Sequence, residues 1–152
     1  MDDSVPLTTT PSQDERIMAA LSHGAVLIPI WGIVIAVIVW ITQKDKSKYT
    51  AFQSLQALVY QLFIPLVWFL GMGCYMLSFF ASFLTIPIAG SSSSNWPFGL
   101  MMLVPFATLF TVLIGELAFI VFGLVGAVMV LRGKDFRYII LGRLLERYMQ
   151  NK

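Results

Sequence analysis

The sequence predicts an all-α integral membrane protein. The expected fold is a small helical bundle with two long transmembrane helices, a proline-broken N-terminal hydrophobic segment and a C-terminal amphipathic interfacial helix. Hydrophobic residues make up 58% of the 152 residues and charged residues only 12%, whereas soluble domains are about half apolar and about a quarter charged. The mean hydropathy is +0.81. A chain of this length and composition suits one membrane-embedded domain.

Three apolar blocks are long enough to cross a bilayer, which requires about 20 residues. They extend over about 17–41, 51–89 and 98–131. The second block contains no charged residue, and Glu116 is the only charged residue in the third. The segment 87–98 between these two blocks is rich in Ser, Pro and Gly, which is typical of a loop.

The first block has two interpretations, because Pro29 and Gly32 interrupt it near its middle. As a single crossing, the block would place the N-terminus outside. As two short half-helices that turn back at Pro29, it would place the N-terminus inside, together with Arg16. Irregular backbone at membrane depth is tolerated only where protein or water satisfies its polar groups. The residues by themselves are compatible with both interpretations.

The positive charges indicate the orientation of the chain. Three lysines lie in the 44–48 loop, six Lys and Arg residues follow the third block, and the 87–98 loop has none. Cytoplasmic loops are enriched in Lys and Arg. We therefore expect the protein in the cytoplasmic (inner) membrane, with the 44–48 loop and the C-terminus in the cytoplasm and the 87–98 loop outside.

A stripe of small and weakly polar residues is predicted along one face of the second block. The face emerges when successive residues are placed 100° apart on a helix. Such residues are typical of contacts between membrane helices, because they permit close approach and hydrogen bonding across the interface. The predicted helix-interface or pathway residues are Gln53, Gln56, Tyr60, Gly71, Cys74, Ser78, Ser82 and Thr85, with Glu116 from the third block.

Glu116 and His23 are the two candidates for membrane chemistry. A carboxyl group in an apolar helix is energetically costly and therefore suggests a function. Glu116 either lines an ion or proton path or is a protonated group that hydrogen-bonds a neighbouring helix. His23, with Ala19 four residues earlier, is a weak candidate for haem or pigment ligation. A buried structural histidine is the alternative.

The sequence contains no recognisable catalytic or metal-binding motif. One cysteine and one histidine are too few for a Cys/His zinc site. A phosphate-binding glycine-rich loop and a nucleophile elbow are also absent from the sequence. We therefore expect no enzyme activity, no cofactor, no metal and no nucleic-acid partner.

Three regions are expected along the chain. Residues 1–11 are acidic and rich in Pro and Thr, which predicts a disordered tail. Residues 12–131 form the helical membrane domain. Residues 132–152 are predicted to form a basic amphipathic cytoplasmic helix, a pattern typical of helices that lie on anionic headgroups. The residues predicted to contact lipid headgroups are Arg137, Arg143 and Arg147.

Three short segments resemble the bacterial membrane family called domain of unknown function 4870. They are ERIMAALSHGAVLIP, KDKSKYTAFQSLQAL and GKDFRYIILGRLL. That family is related to the small membrane subunit of the chloroplast inner-envelope protein translocon and has no established enzymatic activity. The resemblance implies four helices with both termini on one side, which favours a turn at Pro29. The matching positions are Glu15, Arg16, Ala20, His23, Pro29, Trp40, Lys44, Phe52, Gln56, Ala57, Gly133, Arg137 and Tyr138.

These observations lead to one main functional hypothesis and two alternatives. The main hypothesis is a non-enzymatic accessory membrane protein that binds a larger membrane complex or its own copies through the polar stripe. The first alternative is an oligomeric conduit for protein, ions or small solutes, built around Glu116 and the glutamines. The second is a pigment- or haem-binding subunit that uses His23. The expected partners are the lipid bilayer and other membrane proteins or further copies of the chain.

Overall fold

The computed structural model describes residues 10–28, 30–89, 96–138, 141, 142 and 145. Within these residues the chain is helical and has no strand, which confirms the all-α fold class. A 3₁₀ helix, Ala25–Leu27, follows the first helix. The four α-helices are α1 (Gln13–Gly24), α2 (Trp31–Gln43), α3 (Lys48–Ala89) and α4 (Trp96–Leu131).

The helices α3 and α4 are the two that are long and apolar enough to cross a membrane. Burial inside the protein covers 0% and 11% of their most apolar stretches. An apolar surface of this extent is unfavourable in water, so both helices require lipid around them. The apolar side of each helix is exposed, as shown by Leu62, Trp68, Leu77 and Phe80 on α3 and by Phe110, Leu113 and Leu117 on α4.

The start of α1 is a capping box. The Ser12 hydroxyl accepts from the Glu15 backbone N–H at 3.3 Å, and the Glu15 carboxylate accepts from the Ser12 N–H at 2.7 Å. Two donors that the helix leaves unpaired are thereby satisfied. At the start of α3, the Ser47 hydroxyl accepts from the Thr50 N–H at 3.2 Å.

The N-terminal apolar block is broken, as predicted. After the 3₁₀ helix, Ile30 has a φ of 66°, which lies outside the right-handed helical region and therefore interrupts the helical path. The helices α1 and α2 then pack against each other. A Cβ added to Gly32 would collide with the Ala25 carbonyl oxygen, so this contact requires glycine. Pro29, the predicted breaking residue, lies outside the described residues.

A Schellman motif ends α4. Gly133 has a φ of +75°, its N–H donates to the Val130 carbonyl, and the Lys134 N–H donates to the Met129 carbonyl. Residues 132–138, called the strap below, leave the helix in a non-helical conformation. Phe136 and Tyr138 of the strap are buried.

The amphipathic helix predicted over 132–152 therefore does not begin at residue 132. The glycine reverses the backbone, and the strap then packs against the helices of its own unit. Helical residues are described at 141, 142 and 145, and most of the remaining segment lies outside the described residues. The predicted N-terminal tail also lies outside them, apart from its last two residues.

The chain divides into two compact units. Residues 1–62 and 120–152 form unit 1, and residues 63–119 form unit 2. Unit 1 contains α1, α2, the first part of α3, the last part of α4 and the strap. Within unit 2, the two helices approach closely where a Cβ added to Gly71 would lie 2.7 Å from a methyl group of Val112.

Candidate functional site: the polar cluster around His23

His23 lies at the centre of a buried polar cluster in unit 1. Only 1% of the residue is exposed. Its Nε2 is 3.2 Å from Gln53 Oε1, and its Nδ1 is 3.1 Å from the Tyr138 hydroxyl. An amide oxygen can only accept. The geometry therefore assigns the proton to Nε2, which leaves Nδ1 to accept from the tyrosine.

The Asp135 carboxylate determines which way the Gln53 amide points. Gln53 Nε2 donates to Asp135 Oδ1 at 3.0 Å. A carboxylate can only accept hydrogen bonds, so the nitrogen of the amide must face it and the oxygen must face His23. Arg137 donates to the other oxygen of Asp135 at 2.9 Å through Nε and forms an ion pair with it at 2.8 Å. A directed series of hydrogen bonds thus runs from the buried Tyr138 hydroxyl to a half-exposed ion pair.

The side chain of Gln56 binds the backbone of the strap at two points. Its Nε2 donates to the Phe136 carbonyl at 3.2 Å, and its Oε1 accepts from the Tyr138 N–H at 3.1 Å. Gln56 is completely buried. Buried backbone groups need such partners, and the strap has no helix or strand to provide them. The amide group of Gln56 therefore acts like the edge of a neighbouring strand.

Aromatic rings enclose the cluster. The Tyr138 ring stacks on Tyr60, with centroids 4.2 Å apart and planes 9° apart. Phe136 meets the His23 ring edge-on at 5.7 Å. A Cβ added to Gly126 of α4 would lie 2.8 Å from the Phe136 ring and 3.2 Å from His23 Nδ1. The helix α4 can approach the cluster this closely because glycine stands at that position.

Burial sets the protonation states in the cluster. It lowers the pKa of His23 from 6.5 to about 4, against a smaller opposite effect of the hydrogen bond to Gln53. The imidazole is therefore neutral at pH 7. Burial also raises the pKa of Tyr138, so its hydroxyl keeps its proton. Both states agree with the hydrogen bond from Tyr138 to His23.

Gln61 has a structural role in the same unit. It is 3% exposed, and its Nε2 donates to the Ser22 carbonyl at 2.8 Å. That carbonyl lies near the end of α1, where helical carbonyls lose their intrahelical partners. Gln61 Oε1 is buried and has no hydrogen-bond partner among the described residues.

The structure separates the residues of the predicted polar stripe. Gln53, Gln56 and Tyr60 belong to the His23 cluster in unit 1. In unit 2, the Ser78 and Ser82 hydroxyls each donate at 2.8 Å to a carbonyl of their own helix. Cys74 is exposed. The side chain of Thr85 lies outside the described residues.

Glu116 is in unit 2, on the membrane-spanning part of α4. Its Oε2 is buried and has no hydrogen-bond partner among the described residues.

Of the three arginines predicted to contact lipid headgroups, Arg137 has its guanidinium carbon 5.8 Å from the Phe52 ring centroid. Arg143 and Arg147 lie outside the described residues.

The geometry does not favour haem ligation by His23. Both ring nitrogens have protein partners, and an axial bond through Nδ1 would displace the Tyr138 hydroxyl. Among the described residues, no group of three or more His, Cys, Asp or Glu side chains is placed to hold a metal ion. The cluster is suited to holding helices and strap together.

Sequence reasoning did not identify Asp135, Tyr138 and Gln61 as members of a site. One usable signal was present in DFRY, where charged and aromatic residues alternate over 135–138. Alternation with period two indicates an extended segment with one buried face. Asp135 and Arg137 are exposed, whereas Phe136 and Tyr138 are buried, as this pattern predicts.

The fold and the cluster together define a small all-helical membrane protein with a buried, hydrogen-bonded polar cluster around His23. The chain belongs to the magnetosome magnetite crystal formation protein family, MamF/MmsF, whose family model matches residues 14–145. No curated protein and no solved structure matches the chain significantly.

The family match corrects the resemblance to domain of unknown function 4870, and the translocon relationship inferred from it was wrong. The segments that carried the resemblance combine a helix cap, a lysine loop and a glycine after the last helix. Membrane proteins share these features for general reasons of helix termination and charge distribution. They therefore do not distinguish one family from another.

Proposed function

We propose that this protein is a non-enzymatic subunit of the magnetosome membrane, and that it contributes to magnetite crystal formation by binding other membrane proteins or its own copies. The family match over residues 14–145 is the observation that carries the proposal. The His23 cluster supports a structural role, because its polar groups are buried and bonded to one another. The charge distribution supports an orientation with the 44–48 loop and the C-terminus in the cytoplasm.

The part of α4 around Glu116 supports association with another membrane helix. Glu116 is partly exposed on α4, and a carboxyl group that faces lipid without a hydrogen-bond partner is unfavourable. A Cβ added to Gly115 would meet nothing within 4 Å, so a neighbouring backbone has room to approach there. A helix that donates a hydrogen bond to Glu116 would satisfy both features.

The role in crystal formation is tested by deleting the gene in the organism that carries it. Magnetite crystal size and number are then measured by electron microscopy, with the gene restored from a plasmid as the control. We expect altered crystals in the deletion strain and recovery on complementation. Crystals that are unchanged by the deletion would contradict the proposed role.

Association through α4 is tested with Glu116→Leu and Glu116→Gln. Co-purification and cross-linking in a mild detergent would report binding to other membrane proteins or to a second copy. We expect Glu116→Leu to reduce the recovered complex and Glu116→Gln, which can still hydrogen-bond, to retain most of it. Leu117→Ala, at an exposed apolar position of the same helix, is the matched control. Equal recovery for all variants would exclude this contact surface.

A conduit receives less support than an accessory subunit. Gln53 and Gln56 were expected to line its entrance, but both are fully buried and hydrogen-bonded to Asp135 and the strap. Of the glutamines and Glu116 on which this alternative was built, Glu116 remains as a candidate pathway residue. Flux through protein reconstituted in liposomes, compared with Glu116→Gln, measures this activity directly.

A further inference from the structure

We propose that α1, the 3₁₀ helix and α2 form a re-entrant hairpin. In this arrangement the chain enters the bilayer from one side, turns among the lipid chains near the middle of the membrane and leaves on the side where it entered. The partner of the exposed hairpin surface is the hydrocarbon of one leaflet. This inference does not depend on the proposed role in crystal formation.

The lengths of the helices exclude a crossing by either one. The helix α1 has 12 residues and α2 has 13. At 1.5 Å per residue they are about 18 and 20 Å long, whereas the hydrocarbon core is about 30 Å thick. They do not join into one longer helix, because the backbone changes direction at Ile30 and the two helices pack against each other.

The charged residues of the hairpin are at its base, and its tip is apolar. Asp14 and Glu15 lie in the first turn of α1, and Lys44 follows the last residue of α2. No Asp, Glu, Lys or Arg occurs over residues 17–43. Large apolar side chains at the tip are more than half exposed. They are Leu27 at 59%, Ile28 at 51%, Ile30 at 73% and Trp31 at 67%.

An apolar tip above a charged base is typical of a segment immersed in lipid. In water, the same cluster of large exposed side chains would be unfavourable. The tip exposes no charged group that a polar partner would recognise. The exposed apolar side chains of the tip are therefore more stable among lipid chains than in water or against a charged surface.

Contacts inside unit 1 show how far the hairpin extends along the spanning helices. The Thr50 hydroxyl donates to the Glu15 carbonyl at 3.4 Å, so the start of α1 lies near the start of α3. At the other end, a Cβ added to Gly32 would lie 3.0 Å from Gln61 Oε1. Gln61 is 13 residues beyond Lys48 (61 − 48), which corresponds to about 20 Å along α3.

The helix α4 gives a similar depth. A Cβ added to Gly123 would lie 3.0 Å from Val26, and Gly123 is eight residues before Leu131 (131 − 123), or about 12 Å along the helix. The tip therefore lies about 12 to 20 Å from the ends of α3 and α4 that carry the positive charges. With the charged ends at the level of the headgroups, that depth is near the middle of a hydrocarbon core of about 30 Å.

Several backbone groups of the turn have hydrogen-bond partners within the protein, as a position inside the bilayer requires. The Ile28 N–H donates to the Ala25 carbonyl at 3.0 Å, and the Gly32 N–H donates to the Ile28 carbonyl at 2.6 Å. Gln61 satisfies the Ser22 carbonyl from α3. Protein groups therefore replace water at the point where the helix is interrupted.

The topology is tested by labelling single cysteines in membrane vesicles with a membrane-impermeant maleimide. Cys74→Ser provides the background, and Gln13→Cys and Asp45→Cys mark the two ends of the hairpin at exposed positions. Ser92→Cys marks the loop expected on the opposite side. We expect the two end positions to react from the same side. Reaction of the two from opposite sides would establish a single crossing and overturn the proposal.

The lipid contact is tested at the tip with Leu27→Cys in the same background. A fluorophore attached there under denaturing conditions, followed by reconstitution, is quenched by lipids that carry spin labels at defined depths. We expect mid-chain labels to quench more strongly than headgroup labels. Stronger quenching by headgroup labels, or full reaction of this cysteine with the impermeant maleimide, would overturn the proposal. The tryptophan emission of each variant must match that of the parent protein, which shows that the fold is retained.

Discussion

Acidification should release the strap from the rest of unit 1, because a protonated His23 no longer fits its hydrogen bonds. In the neutral form, Nδ1 accepts from Tyr138 and Nε2 donates to Gln53. In the protonated form both nitrogens donate, so the Tyr138 hydroxyl must become an acceptor and its own hydrogen loses its partner. Asp135 and Arg137, behind Gln53, are the nearest charged groups in the described network. The α4 contact, Gly126, has no ionisable group.

The size of the effect follows from the pKa of His23. The folded value is about 4 and the reference value is 6.5, so the released state binds the proton more tightly. The stability of the closed strap is therefore fully present above pH 6.5 and is lost as the pH falls toward 4. At 1.36 kcal/mol per pH unit, the loss is at most about 2 kcal/mol at pH 5 and about 3 kcal/mol at pH 4, the values that apply when release of the strap exposes His23 fully to water.

Hydrogen exchange in lipid nanodiscs measures the release directly. The Tyr138 amide, which donates to Gln56 Oε1, should lose up to about 20-fold of its protection between pH 7 and pH 5, after correction for the intrinsic exchange rates. The measurement does not go below pH 5, so that protonation of Glu15 does not contribute to it. Hydrogen bonds from Ser47 and Ser12 lower the pKa of this carboxyl group. The stability that Glu15 contributes is present above its ordinary pKa and is lost only at lower pH.

His23→Gln is the control for this experiment, because its side chain can hydrogen-bond but does not titrate in this range. We expect the variant to be less protected at pH 7 and to show little further change at pH 5. Equal protection of the native strap at both pH values would refute the assignment of His23 as the titrating group. The same pH dependence in the variant would refute it as well.

Three further predictions concern stability in detergent, measured by thermal unfolding. Gly32→Ala should destabilise the protein by about 1–3 kcal/mol because its Cβ meets the Ala25 carbonyl oxygen. The control Gly73→Ala, which has open space around it, should be neutral or slightly stabilising. Equal effects of the two substitutions would contradict the close packing of the hairpin. Gln56→Leu should cost about 2–4 kcal/mol because it leaves two strap backbone groups without partners, and an unchanged melting temperature would refute that role. Tyr138→Phe keeps the stacked ring but removes the hydroxyl, so a loss of about 1–2 kcal/mol is expected; a melting temperature equal to that of the parent would show that the hydroxyl contributes nothing.

Much of the local structure was predictable because its causes are local. The capping box at Ser12 and Glu15 depends only on two residues three positions apart in the sequence. The positions of α3 and α4 follow from long apolar runs, which must form helices in lipid so that their backbone groups are satisfied. The break in the first block was also predicted, although the sequence did not show how the two halves pack.

The His23 cluster was not predictable in the same way, because its members are far apart in the chain. His23 and Gln53 are separated by 30 positions, and Gln53 and Asp135 by 82. Helical periodicity places Gln53 and Gln56 on one face, but it does not show which residues pack against that face. Gln61 lay outside the predicted stripe, yet it is buried against Ser22.

The sequence by itself determined which segments belong in lipid, where α1 begins and which loops carry positive charge. Each of these properties depends on composition or on residues within a few positions of one another. Only the tertiary structure decided that the glutamines bind His23, Asp135 and the strap, and that Phe136 and Tyr138 are buried beside them. A hydrogen bond needs two atoms about 3 Å apart, and for residues 30 or 82 positions apart only the packing of the helices brings them to that distance.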